Sequence, residues 1–187
     1  MTQTPEEFNS NIAIAGFSNV KIEDINTFLE QFKTENKAAI QFFDAKKVAG
    51  TQHIYFAALN TLNAFKKNNN ISNNMAVESL LYASAQRQIT KAVNMLGLKQ
   101  DSSEVAALII AQNSQQKNES LRLVTKAISG ERDDSVLEVT SKKIKELRKM
   151  FGISNLEFEA KLKKQGLEKE AIIDLVIERM ALLVTKS

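Results

Sequence analysis

The 187-residue sequence predicts a helix-rich α/β fold, a small mixed sheet flanked by several helices, with a C-terminal helix left over for a partner. Three observations carry this. Apolar runs of strand length stand at 12–17 (IAIAGF), 39–43 (AIQFF) and within 104–111 (VAALIIA). Between them, apolar residues recur three or four apart, the period that puts them on one helix face. The two kinds of segment alternate along the chain, which argues for helices packed on a sheet of three to five strands. A chain of this size buries roughly 70% of its unfolded surface, enough for its own core. We expect a disordered polar N-terminus over 1–11 and a single α/β domain over 12–187 that includes a C-terminal helix at 168–185.

The elements follow in order. After the first strand, Ile22, Ile25, Phe28, Leu29 and Phe32 mark an amphipathic helix over about 22–35. The run Ala39 to Phe43 is the second strand. From Thr51 to Lys67 the pattern is helical through Ile54, Ala58, Leu62 and Phe65, and Asn68-Asn69-Asn70 stops it. Asn73 or Asn74 can cap the next helix, which runs to about Ser84. Another helix presents Ile89, Ala92, Val93 and Leu96 on its core face and ends at Gly97; Arg87 and Lys91, four apart, lie opposite. The run within Glu104 to Ala111 reads as a central strand covered on both faces. Asn118 is expected to cap a helix with Leu121, Val124 and Ile128, ended by Gly130. A strand is expected over Ser135 to Thr140, then a basic amphipathic helix from Ser141 to Phe151, ended by Gly152.

The tail reads EKEAIIDLVIERMALLVTKS from Glu168. At 100° per residue its apolar positions cover an arc of roughly 260°. One face (Ile172, Leu175, Val176, Leu183) can pack on the domain. The other (Ile173, Ile177, Met180, Val184) is then surplus and is expected to meet a second protein.

Charge is segregated. Between Ala45 and Gln100 there are seven basic residues (Lys46, Lys47, Lys66, Lys67, Arg87, Lys91, Lys99) and one acid, Glu78, so the segment nets 7 − 1 = +6 while the chain nets +3. That is an electrostatic footprint for a polyanion. Candidate RNA contacts are Lys66, Lys67, Arg87 and Lys91 for phosphates, with Ser84 and Gln88 for base edges. Tyr82 could stack on an unpaired base, although packing explains it as well. His53, near an apolar stripe, reads as a hydrogen-bonded structural residue, and Asp44 as a cap. The run Lys142, Lys143, Lys145, Arg148 and Lys149 reads as a solvated face.

The catalytic inventory is thin. Cysteine is absent and histidine occurs once, which removes disulfides, thiolate chemistry and multi-histidine metal sites within one chain. No glycine-rich phosphate loop or nucleophile elbow occurs. We therefore expect no enzyme, catalytic residue, metal, cofactor or small-molecule substrate. A hydrolase or transferase using Asp44, or Asp133 with Asp134, is the weakest alternative. No apolar run reaches the ~20 residues of a membrane span, and the N-terminus lacks a signal-peptide pattern, so a cytoplasmic location is expected.

Ordered motifs narrow this. Asp44-Ala45, Val48-Ala49-Gly50 and His53 are followed by Asn70-Ile71-Ser72, Glu78-x-Leu80-Leu81-Tyr82-Ala83-Ser84 and Arg87-Gln88-Ile89. Downstream come Asp133-Asp134-Ser135-Val136-Leu137-Glu138 and Glu178-Arg179-Met180-Ala181-Leu182-Leu183. In this order they resemble the PRPK-binding protein family, the small subunit of the KEOPS tRNA-modification complex. The resemblance implies a non-catalytic accessory subunit that binds a kinase-like ATPase subunit and holds tRNA by its single-stranded 3′ CCA end. It implies a part in placing threonylcarbamoyl on the adenosine next to the anticodon, with ATP handled by other subunits. A regulator that binds the kinase-like subunit alone, its positive segment meeting an acidic protein, is the alternative. Ala85 stands where the resemblance places glycine. If that position requires φ > 0, alanine carries a conformational penalty there.

Overall fold

The computed structural model describes residues 11–32, 38–165 and 167–185, without the side chains of 163–165, 184 and 185. The expected disordered segment falls outside these residues except for Asn11. Residues 33–35 of the first predicted helix and the side chain of Val184 fall outside as well.

Four strands, β1 (Ile12–Ser18), β2 (Ala39–Asp44), β3 (Val105–Ile110) and β4 (Glu131–Arg132), form one sheet among the described residues, in the order β2-β3-β1-β4. The fold is α/β and helix-rich as expected. Every pairing is antiparallel rather than mixed: β3 runs from Val105 opposite Phe17 to Ile110 opposite Ile12, and faces β2 from Asp44 to Ala39 on its other edge. With β3 between them, β1 and β2 do not pair with each other.

Strand periodicity then builds two cores. Successive side chains point to opposite faces, so Ala106, Leu108 and Ile110 enter one cluster, while Val105, Ala107 and Ile109 enter the other. All six residues of β3 are buried. The smaller cluster is closed by α1 (Ile25–Glu30) and α5 (Ser114–Ala127), and holds Phe28, Phe32 and Phe42 with ring centroids 4.7–5.2 Å apart. The larger cluster lies under α2 (Gly50–Lys66), α3 (Met75–Ser84), α4 (Ile89–Leu96), α6 (Ser141–Met150), α7 (Asn155–Gln165) and α8 (Glu168–Thr185). The functional candidates all sit on this side.

Local chemistry explains where expectation and structure part. Asn113 rather than Asn118 caps α5, its side chain accepting from Gln116 N–H, and Asn118 lies inside the helix. No strand forms over 135–140. Asp133 accepts the Ser135 N–H and O–H and turns Asp134–Leu137 into a short 3₁₀ helix, a local side-chain bond that competes with strand pairing. Helix α7 escaped the sequence reading, yet Ser154 and Glu157 form a reciprocal capping box at its start: Ser154 N–H donates to Glu157 at 2.8 Å, and Glu157 N–H to Ser154 Oγ at 3.2 Å.

Candidate binding surfaces

The end of α2 and the loop after it form the first locus. Lys66 and Lys67 are exposed, and the chain leaves the helix through Asn68 in the left-handed region (φ 52°), with Asn69 N–H donating to Ala64 O at 3.0 Å. The following loop is held from beneath by Glu78, which is fully buried on α3. Its carboxylate accepts the N–H of Ile71 at 3.0 and 3.1 Å and of Ser72 at 2.7 Å. Glu78 also sits in the first turn of α3, where the helix dipole favours an anion. Asn74 caps the helix by accepting from Ala76 and Val77. The one acid of the +6 segment is thus withdrawn from the surface. Six of its seven cations (Lys46, Lys66, Lys67, Arg87, Lys91, Lys99) remain exposed, with Lys47 half-buried.

The second locus is the turn between α3 and α4. Ala85 ends α3 in the left-handed conformation (φ 52°, ψ 35°), and Gln86 N–H closes the turn on Leu81 O at 3.1 Å. A β-carbon in this region costs roughly 1–2 kcal/mol. Ala85→Gly is therefore expected to raise stability by about 1 kcal/mol and Tm by about 2–4 °C, read by thermal unfolding. A lower Tm would show that the turn, not the residue, sets the angle.

The structure corrects four assignments. Ser84 is fully buried and its hydroxyl donates to Leu80 O at 2.8 Å, so it is closed to a base. Arg87 precedes α4 and so shares no helix face with Lys91; both are exposed, as is Gln88. Ile89 and Val93, expected in the core, are 51% and 43% exposed; the inward face of α4 is Ala92 and Leu96, with Met95 partly buried beside them. Tyr82 is buried, in keeping with packing, and burial pushes its phenol pKa up. His53 is structural: fully buried, its Nδ1 accepts from Ala49 N–H at 3.0 Å and its Nε2 bonds Ala83 O at 2.7 Å. Asp44 caps the short helix at Ala45–Lys47 by accepting from Lys46 N–H. Lys143 is not solvated; it is buried and donates to Val136 O at 2.6 Å.

The third candidate is α8. It packs against α2, α3, α6 and α7, four helices of its own chain. Ile172, Leu175, Val176 and Leu183 are buried as expected. Met180 is fully buried too, which removes it from the free face: it stands only 40° round the helix from Val176, within the arc its neighbours cover. Ile173 and Ile177 are half-buried, and Leu182 is 44% exposed. Arg179, which interrupts the apolar side, ties α8 down by donating to Phe151 O and Gly152 O at 3.3 Å and to Glu157 at 2.6 Å. The guanidinium, with the Ser154 cap, holds the Glu157 carboxyl at about 2.

The turn after α3 and the end of α8 meet. Arg87 Nη1 donates to Leu183 O, at the end of α8, over 3.4 Å. Beside it a cavity of about 210 Å³ is lined by Ser84, Ala85, Gln86, Met95, Phe151 and Leu182 among others.

Fold and surfaces together define a helix-rich α/β binding protein, with exposed cations gathered in one sequence segment and an embedded last helix. Among the described residues, no helix is long and apolar enough to cross a membrane. A family model described as kinase binding protein CGI-121 matches residues 17–183. A curated relative, the regulatory protein Cgi121 of Methanocaldococcus jannaschii, is 31% identical over 135 residues, 72% of this chain and 83% of that protein. The chain belongs to the CGI-121 family of kinase binding proteins, in agreement with the motif resemblance.

Proposed function

We propose that this protein is a non-catalytic, cytoplasmic subunit of a KEOPS complex, binding the kinase-like ATPase subunit and the 3′ CCA end of tRNA during threonylcarbamoyladenosine formation. The kinase-like partner is supported by the family, whose members bind kinases. The observation that supports tRNA is the sorting of charge. Glu78 is buried and bound to backbone N–H groups, while Lys66, Lys67, Arg87 and Lys91 face outward from the same segment. Exposed cations without surface acids nearby in sequence attract phosphates and release counterions on binding. Gln88 is exposed beside them and can meet a base edge. For the partner, Ile173, Ile177 and the end of α8 remain the reading, without Met180.

Lys66→Glu with Lys67→Glu is expected to weaken tRNA binding at least tenfold in a filter or fluorescence assay and to flatten its salt dependence. Removal of the 3′ CCA from the tRNA is expected to cause a comparable loss. If neither change matters, the CCA assignment fails and the protein-only regulator stands.

A further inference from the structure

The carbonyl of Leu183, in the last described turn of α8, accepts a hydrogen bond from Arg87 Nη1 over 3.4 Å. The last turn of α8 carries no basic residue of its own. Arg87, 96 residues away in sequence, supplies both the donor and the cation that favours a helix C-terminus. A guanidinium carries five N–H donors in a rigid fork, so it can serve a carbonyl and a phosphate together. An exposed arginine otherwise loses side-chain entropy when it is fixed on a ligand, and prior anchoring reduces that loss.

We propose that the C-terminal end of α8 is a positioning element for RNA binding: the Leu183 carbonyl anchors Arg87 for a phosphate, and whatever orders the end of α8 strengthens the RNA contact. This rests on the tRNA reading above. The shared cavity between the Ser84–Gln86 turn and Leu182 shows that the two elements adjoin, so a partner seated on α8 acts on the turn directly. By linkage the effect runs both ways, with bound RNA favouring the partner by the same factor.

The test loosens the end of α8 and keeps the Arg87 side chain itself. Leu182 is 44% exposed, and glycine there frays the last turn. Leu182→Gly is expected to weaken tRNA binding about fivefold, with the log–log salt slope reduced by about one. In an Arg87→Gln background the same change is expected to add nothing. Equal losses in both backgrounds overturn the positioning role while the tRNA reading stands. A wild-type protein without salt-sensitive tRNA binding overturns both. Without any RNA, Arg87→Gln is expected to speed hydrogen exchange of amides in the last turn of α8, and unchanged exchange also overturns the proposal.

Discussion

Glu78→Ala is expected to lower the unfolding free energy by about 3 kcal/mol, because the part-buried N–H groups of Ile71 and Ser72 lose a charged acceptor whose own side chain is fully buried. A hydrogen bond to a charged group contributes roughly 1.5–3 kcal/mol, and two donors depend on this carboxylate. Glu78→Gln keeps one acceptor oxygen but turns an amide N–H₂ toward the second donor, so it is expected to recover about half of the loss. Urea unfolding of the three proteins measures this, and an alanine variant within 1 kcal/mol of wild type would exclude the clamp. RNA binding separates the clamp from simple charge. Alanine raises the segment from +6 to +7, since 7 − 1 becomes 7 − 0. Charge alone then predicts tighter tRNA binding. A released Asn70–Ser72 loop beside Lys66 and Lys67 predicts weaker binding, and that is the expected result.

What the sequence made legible was whatever repeats with a period. The run at Val105–Ile110 announced a strand buried on both faces, and the antiparallel sheet delivers that because two separate clusters flank it. The tail helix at Glu168–Thr185 and the stop at Asn68 were equally plain. Features set by single side-chain bonds were harder to see. The Asp133 turn replaced an expected strand, and the Ser154–Glu157 capping box marked a helix that periodicity did not. For the candidate surfaces, charge placed the cations but not their neighbours. Nothing in the spacing says that Glu78 turns inward, that Ser84 bonds its own helix, or that Arg87 reaches Leu183. The tail's surplus apolar arc suggests a partner face. Four helices of the same chain cover much of it, including Met180. Periodicity gives the width of an apolar arc; only the packing of distant segments says who fills it.

The second large effect is a loss of stability in mild acid caused by one residue. His53 is the single histidine of the chain and is fully buried. The backbone N–H of Ala49 can only donate, so Nδ1 must be unprotonated, and Nε2 carries the hydrogen given to Ala83 O. A second proton would set Nδ1–H against Ala49 N–H. Burial, opposed in part by the Ala83 carbonyl, drives the imidazole pKa down from 6.5 to about 4. The folded state therefore favours neutral histidine, and its contribution is complete above pH 6.5. As pH falls from 6.5 toward 4, the unfolded chain takes up the proton and the folded one does not. The stability lost over this window is about 3 kcal/mol, of which about 2 kcal/mol is gone by pH 5. Denaturant midpoints at pH 7.5 and pH 5 measure the loss, and His53→Gln is expected to flatten the difference. The same titration can be followed directly, since one histidine gives one imidazole resonance. In the native protein it is expected to hold its neutral position at pH 5, and a native-state midpoint near 6.5 would mean that the ring is not locked between Ala49 and Ala83. The lock also bears on the turn after α3. Ala83 lies two residues before the left-handed Ala85 and four before Arg87, so the base of that turn is pinned to α2 through an uncharged ring. Acid that protonates His53 is then expected to free the turn together with the core.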